Sequence, residues 1–209
     1  MLTRGMNIEQ QIKEVKQDYG FVFKLALAGV QKMVNRYAPL TNRMMSQAYH
    51  CHSKNRNHWL YSIHVSARER FVQLFTCFYD KSGFMALYRQ HQSPFTLLFN
   101  QHFFERYNQR MNLKIHKHED RLCAYMLANS HYAFYDRRRV NEHVVKFVCL
   151  TETGIIMGRR DDRLRVYYMG TFIPYEILGQ RQFGMVSHIY KKVMELYNQQ
   201  YINPYKKVA

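Results

Sequence analysis

Nine apolar residues from Ile8 to Tyr37 recur at steps of 4, 3, 4, 3, 4, 4, 3 and 4. That rhythm puts Ile8, Ile12, Val15, Tyr19, Val22, Ala26, Val30, Met33 and Tyr37 on one stripe of a helix. From Trp59 the rhythm changes. Trp59, Tyr61, Ile63 and Val65 alternate with Leu60, Ser62, His64 and Ser66, which is the period of a β-strand. A chain that keeps both periods in separate blocks reads as α+β.

The helix expected over residues 7–38 is weakened by Gly20 and Gly29, each costing about 1 kcal/mol against alanine, and is stopped by Pro39. Its stripe can form a dimer seam or lie across the chain's own domain, and the second use is the expectation. Residues 1–40 are therefore set apart as a helix, an appendage or an oligomerisation element. Residues 41–209 are expected to form one basic α+β domain. A chain of 209 residues can bury a core without disulfides or a structural metal.

Along that domain, 41–57 predicts a short helix and then a turn at Ser53–Asn57. Strands follow at Trp59–Val65, Phe71–Tyr79 and Phe84–Tyr88, the last two joined by an Asp80-Lys81-Ser82-Gly83 turn in which Gly83 can take a positive φ, with a helix over 67–79 as the alternative to that hairpin. Ser93-Pro94 opens a helix to Leu113, and a second helix covers 117–135. Asp136–Arg139 reads as a basic connection. Strands at Val144–Leu150, Ile155–Gly158 and Leu164–Phe172 are separated by a Thr151–Gly154 turn and a charged Arg159–Arg163 turn, implying an antiparallel meander. A short helix from Pro174 to Leu178 and a last helix over Gln182–Tyr201 complete the reading. The expected architecture is an antiparallel sheet with helices packed on one face.

The charge narrows the function. Lys and Arg total 31, Asp and Glu 15, and the formal net charge is +16. Residues 1–100 carry 13 basic and 5 acidic side chains, and residues 101–209 carry 18 and 10. The excess is spread evenly, so the folded surface rather than a tail is positive. Such a field attracts polyanions. Nucleic acid is the expected partner, RNA ahead of DNA. Four isolated cysteines at 51, 77, 123 and 149 match neither a disulfide framework nor a zinc ribbon. The most apolar window, Phe21–Val30, contains Lys24 and is too short to span a bilayer. A cytoplasmic protein without a membrane partner is expected, with no metal and no cofactor. The sequence has no GxGxxG and no GxxxxGK[ST], which excludes the usual phosphate loops.

One segment groups catalytic residue types. In Gln101–Arg110, His102, Arg106 and Arg110 are spaced four apart and line one face of a helix. A neutral imidazole beside fixed positive charge suits a general base, and two guanidiniums suit a phosphate whose charge grows in the transition state. The same row also suits anion binding without chemistry, or a solvated face. His50-Cys51-His52 with His58, and His116-Lys117-His118-Glu119-Asp120, contain metal-ligand types but no recognisable ligand spacing.

A helix carrying His-x-x-x-Arg-x-x-x-Arg and followed by an antiparallel sheet resembles the barnase/RelE-like group of small ribonuclease toxins, over residues 95–178. The resemblance implies metal-independent RNA cleavage in a cleft between the 95–113 helix and the 144–172 sheet. It implies His102, Arg106, Arg110 and Thr171 as catalytic residues, with Arg165 and Tyr167 facing the same surface. It also implies a small acidic antitoxin or immunity protein as partner.

Arg137, Arg138, Arg139, Arg159, Arg160, Arg163 and Arg165, with Tyr167, are the candidate nucleic-acid contacts: arginines for phosphates and a ring for unpaired bases. Tyr132, Phe134, Tyr135 and Tyr168 are further stacking candidates. The expected function is nucleic-acid binding, extended in the toxin reading to RNA cleavage. The alternative is a non-enzymatic RNA- or DNA-binding or assembly protein of a phage or mobile element. That protein would oligomerise through its first helix.

Overall fold

The computed structural model describes residues 1–37, 44–67, 69–89, 93–180, 184 and 186–191. Pro39 and most of the last expected helix lie outside the described residues. Within them the first helix, α1, spans Ile8–Tyr37, as its stripe predicts. Nine strands form one sheet: β1 (Met45–His52), β2 (His58–Val65), β3 (Arg70–Asp80), β4 (Gly83–Arg89), β5 (Thr96–Asn100), β6 (Ala133–Arg139), β7 (Val144–Leu150), β8 (Gly154–Asp161) and β9 (Val166–Pro174). Helices α2 (Gln101–Arg110) and α3 (His118–Ala128) connect β5 to β6.

The strand order is β1-β2-β3-β4-β5-β9-β8-β7-β6. Two antiparallel meanders meet at one parallel pair, β5 with β9. A parallel neighbour needs a long crossover, and α2, α3 and the second meander supply it. The fold is α+β with a long N-terminal helix.

The helices divide between the two faces of the sheet, rather than sharing one as expected. Val15, Val22, Ala26 and Met33 of α1 are buried against Trp59, Ile63, Leu74 and Leu87 on one face. Phe103, Phe104 and Tyr107 of α2, with Leu122, Tyr125 and Met126 of α3, pack on Leu60, Phe75, Phe99 and Phe172 of the other. β2 is buried at both parities: Trp59, Tyr61, Ile63 and Val65 face α1, and Leu60, Ser62 and His64 face the other side, where Ser62 and His64 hydrogen-bond each other. Val186 and Ile189 cover Val148, Leu150 and Ile155, on the same side as α1. A polar clamp fixes α1 at the β1–β2 turn. Buried Asp18 accepts hydrogen bonds from Ser53 Oγ and from Asn57 Nδ2, the latter at 2.5 Å.

Four local expectations change. Met45–His52 is a strand, not a short helix. Met45, Tyr49 and Cys51 pack toward α1, while the intervening residues of the opposite parity are mostly polar. Thr96–Asn100 is a strand, and the helix expected from Ser93 starts only at Gln101, where Asn100 caps it by accepting from the Phe103 N–H at 2.9 Å. Leu97, Leu98 and Phe99 are apolar on both faces because β5 is central, and this run also reads as a helix segment. Helix α3 ends at Ala128, and Asp136–Arg139 belongs to strand β6 rather than to a connection. β6 is an edge strand, where charged side chains block pairing with other chains. Finally, Arg159 and Arg160 lie inside β8 rather than in a turn.

The β3–β4 hairpin follows its turn residues. Gly83 has φ 112° and Asp80 Oδ1 accepts from the Ser82 N–H at 2.7 Å. Between β8 and β9 the register shifts, with Met157 opposite Thr171 and Gly158 opposite Met169, so Gly170 is the extra residue of a bulge.

Candidate nucleic-acid interface

Helix α2 turns its aromatic side to the sheet. Phe103, Phe104 and Tyr107 are buried, and His102 and Arg106 are exposed on the opposite side. The Tyr107 ring lies 4.9 Å from Phe172 and 5.1 Å from Tyr125. Packed rings therefore fill the space where a cleft between this helix and the sheet is expected. Arg106 donates to Gln109 Oε1 at 3.1 Å, on its own helix. Arg110 does reach Thr171, donating to its Oγ1 at 3.4 Å and to the Phe172 carbonyl. Of the four residues implied as catalytic, only Arg110 and Thr171 meet, and that contact ties the end of α2 to β9.

The arginines separate into two groups. Arg160 is half-buried on the α2 side. It donates to both Asp136 oxygens at 2.8 Å, to Asp162 at 2.5 Å and to the Tyr167 hydroxyl at 3.4 Å. Its hydrogen bond holds the Asp162 carboxyl below the usual carboxylate range. Arg139 joins this cluster, 3.6 Å from Asp162, and donates to the Glu142 carbonyl. Tyr167 is buried, with its ring 4.2 Å from Phe134 and 5.0 Å from Phe147. Burial pushes its phenol up. Arg139, Arg160 and Tyr167 are thus engaged in holding β6, β8 and β9 together.

The second group faces solvent. Arg138 pairs with Lys146, Lys146 with Arg159, and Arg159 with Tyr168. Cross-strand partners share a face, and neighbouring strands lie about 4.8 Å apart. Three cations on three adjacent strands therefore form one row, and Tyr168 continues it. The Arg159 guanidinium lies 4.7 Å from the centre of the Tyr168 ring. Arg138, Lys146 and Arg159 are exposed, and among the described residues none of them has an ion-pair partner. Asp161, two residues along on the same face, accepts the Leu164 N–H at 3.0 Å in the β8–β9 turn. Like charges placed directly opposite across strands destabilise a sheet, so the row is a surface that an anion would relieve.

Beyond Tyr168 the row runs into a groove of about 570 Å³ lined by Met85, Leu98 and Met157, with Lys146 and Arg159 at its edge. Gly158 and Gly170 keep its floor low. A Cβ on Gly158 would come within 2.1 Å of the Tyr168 carbonyl, so the close approach of β8 to β9 requires glycine there. Of the remaining candidates, Arg137 is exposed on β6, and Arg163 and Arg165 are exposed at the β8–β9 turn. Charge and spacing in the sequence do not place Lys146 and Tyr168 beside the arginines. The one signal for Lys146 is its position as a lone lysine inside the apolar run Val144-Val145-Lys146-Phe147-Val148.

Two other clusters hold chemically active groups without converging. His58 Nε2 lies 3.2 Å from His50 Nδ1, and its Nδ1 lies 3.3 Å from Cys77 Sγ. Each ring nitrogen meets a different neighbour, which makes a chain and not a shell. Among the described residues no three His, Cys, Asp or Glu side chains are arranged to hold a metal ion. Burial, with His50 and His52 nearby, pushes the His58 imidazole down. Ser130, His131 and Glu152 contain the residue types of a nucleophilic triad. Both Ser130 Oγ and Glu152 Oε1 contact the same ring nitrogen, His131 Nδ1, at 2.8 Å. A proton relay needs the two groups on opposite nitrogens.

No helix among the described residues is long and apolar enough to cross a membrane. Comparisons with protein-family models, curated proteins and solved structures give no match for this chain.

Proposed function

We propose that this protein binds single-stranded nucleic acid, RNA ahead of DNA, on the exposed row that β6, β7, β8 and β9 present on the α1 side of the sheet, beyond the part covered by Val186 and Ile189. The carrying observation is the row Arg138, Lys146, Arg159 and Tyr168, in register on four adjacent strands. The three cations would follow a phosphate backbone, and Tyr168 with Arg159 would offer flat surfaces to unstacked bases. A duplex keeps its bases stacked and cannot use the ring. Binding without cleavage is the reading these groups favour, because His102 and Arg106 point away from the sheet and Arg110 is tied to Thr171 and Phe172. The row would also suit the assembly alternative, a protein that packs nucleic acid without reacting with it.

The test is a salt titration of affinity for a labelled single-stranded RNA. Each cation withdrawn from a phosphate lowers the slope of log K against log salt by about 0.7 on single strands. The variant R138Q/K146Q/R159Q should therefore lower the slope by about 2. Removal of Arg106, a cation on the far side of the sheet, should leave the affinity within about twofold. Equal losses of affinity from both changes would mean that the overall charge, and not this row, does the binding.

A further inference from the structure

The β3–β4 ladder begins at Phe75 opposite Tyr88, and β4 ends at Arg89. Residues Arg70–Leu74 of β3 therefore have no strand partner on that side among the described residues. Helix α1 passes over this gap. Together they line an open cavity of about 700 Å³, in the size range of small-molecule sites. Its walls are chemically unlike each other. Tyr19, Phe23 and Leu27 of α1, with Phe71 of β3, supply flat and apolar surface. Arg70 and Arg89 supply two guanidiniums, and Glu69 is the one carboxylate among the described lining residues. Arg89 Nη1 is buried and has no hydrogen-bond partner among the described residues.

A buried donor on a charged group costs free energy when it is left unmade. The sheet does not use it, since Arg89 takes its place in the ladder through its backbone, opposite Thr96. An acceptor from outside the chain accounts for it. Guanidiniums match phosphate oxygens in pairs, and two of them against one carboxylate suit a dianion better than a monoanion. We propose that this cavity binds an aromatic phosphate ester of mononucleotide size, with the phosphate on Arg70 and Arg89 and the ring among Tyr19, Phe23 and Phe71. The cavity lies beside β3 and β4, apart from the row on β6–β9, so the proposal does not depend on nucleic-acid binding there.

The experiment is calorimetric titration of the full chain with phenyl phosphate, adenosine 5′-monophosphate, benzoate and inorganic phosphate. Phenyl phosphate and the nucleotide should bind saturably, and benzoate and inorganic phosphate at least tenfold more weakly. Arg89→Met should weaken phenyl phosphate binding at least tenfold, with an unfolding midpoint equal to or above that of the unchanged protein. Arg70→Gln, at an exposed position, should weaken it as well and carries the test if Arg89→Met does not fold. The R138Q/K146Q/R159Q variant should bind phenyl phosphate as the unchanged protein does. No saturable binding of any probe, or binding that both arginine variants leave intact, would overturn the proposal.

Discussion

The Arg159 guanidinium lies 4.7 Å from the centre of the Tyr168 ring, across the ladder that pairs the two residues. The contact holds an exposed cation beside a half-buried ring at the rim of the core under α1. Contacts of this kind contribute roughly 0.5–1 kcal/mol at exposed sites, so a base can exchange with either partner at small cost.

Tyr168→Ala should therefore weaken single-stranded RNA binding by about 1–3 kcal/mol, the value of one stacked base. Tyr168→Phe should leave it nearly unchanged, because the ring and not the hydroxyl is used. Fluorescence anisotropy with a labelled oligonucleotide separates the two results.

Arg160 should behave as a structural residue. Arg160→Met leaves Asp136 without its cation and Asp162 with Arg139 alone, 3.6 Å away, and should cost about 1–2 kcal/mol at pH 7. The Asp162 carboxyl titrates below its ordinary range in the fold, chiefly through the Arg160 hydrogen bond. A lowered carboxyl stabilises above its unfolded value and loses that contribution as pH falls through the folded one. The difference between the two proteins should therefore shrink below about pH 4. Urea unfolding at pH 7 and pH 3 measures it.

His64 sets a second pH dependence. It is buried, and its two ring nitrogens lie 2.8 Å from Ser46 Oγ and Ser62 Oγ. Burial pushes its imidazole down. The unfolded chain then takes up the proton first, so stability should fall as pH drops below about 6.5. His131 works in the opposite sense. The Glu152 hydrogen bond raises it, so its contribution is present below its unfolded value and is lost as pH rises through the folded one. His64→Gln should flatten the fall between pH 7 and 5, which unfolding midpoints at three pH values would show.

The packing of α1 gives a coupled pair. A Cβ on Gly29 would lie 2.5 Å from Ile63 Cδ1, the tip of a buried side chain on β2. Gly29→Ala should destabilise the protein despite the helix preference for alanine. Ile63→Val removes that tip, and in its background Gly29→Ala should recover up to about 1 kcal/mol. A double-mutant cycle by thermal unfolding reads the coupling.

The parts that the sequence makes legible are those in which one residue type repeats with one period. Val15, Val22 and Ala26 announce α1, and the alternation from Trp59 announces β2. β1 is hidden because its side opposite α1 carries Ser46, His50 and His52, which give no hydrophobic alternation. β5 is hidden for the opposite reason, being apolar on both faces. The site is half legible. Arg138 and Arg159 stand out as charge, but Lys146 joins them only through the registers of two hairpins. Tyr167 and Tyr168 are adjacent and point to opposite faces, and a shift of one residue would exchange them. Tyr167 is the one in the core.

The most direct measurement is the position of a zero-length photocrosslink. Single-stranded RNA carrying 4-thiouridine would be bound, irradiated and digested, and the modified peptides located by mass spectrometry. The account predicts crosslinks on Lys146 and Tyr168, with the peptide of residues 101–110 unmodified. Crosslinks concentrated at His102 and Arg106, with Lys146 and Tyr168 untouched, would contradict it and return the site to helix α2.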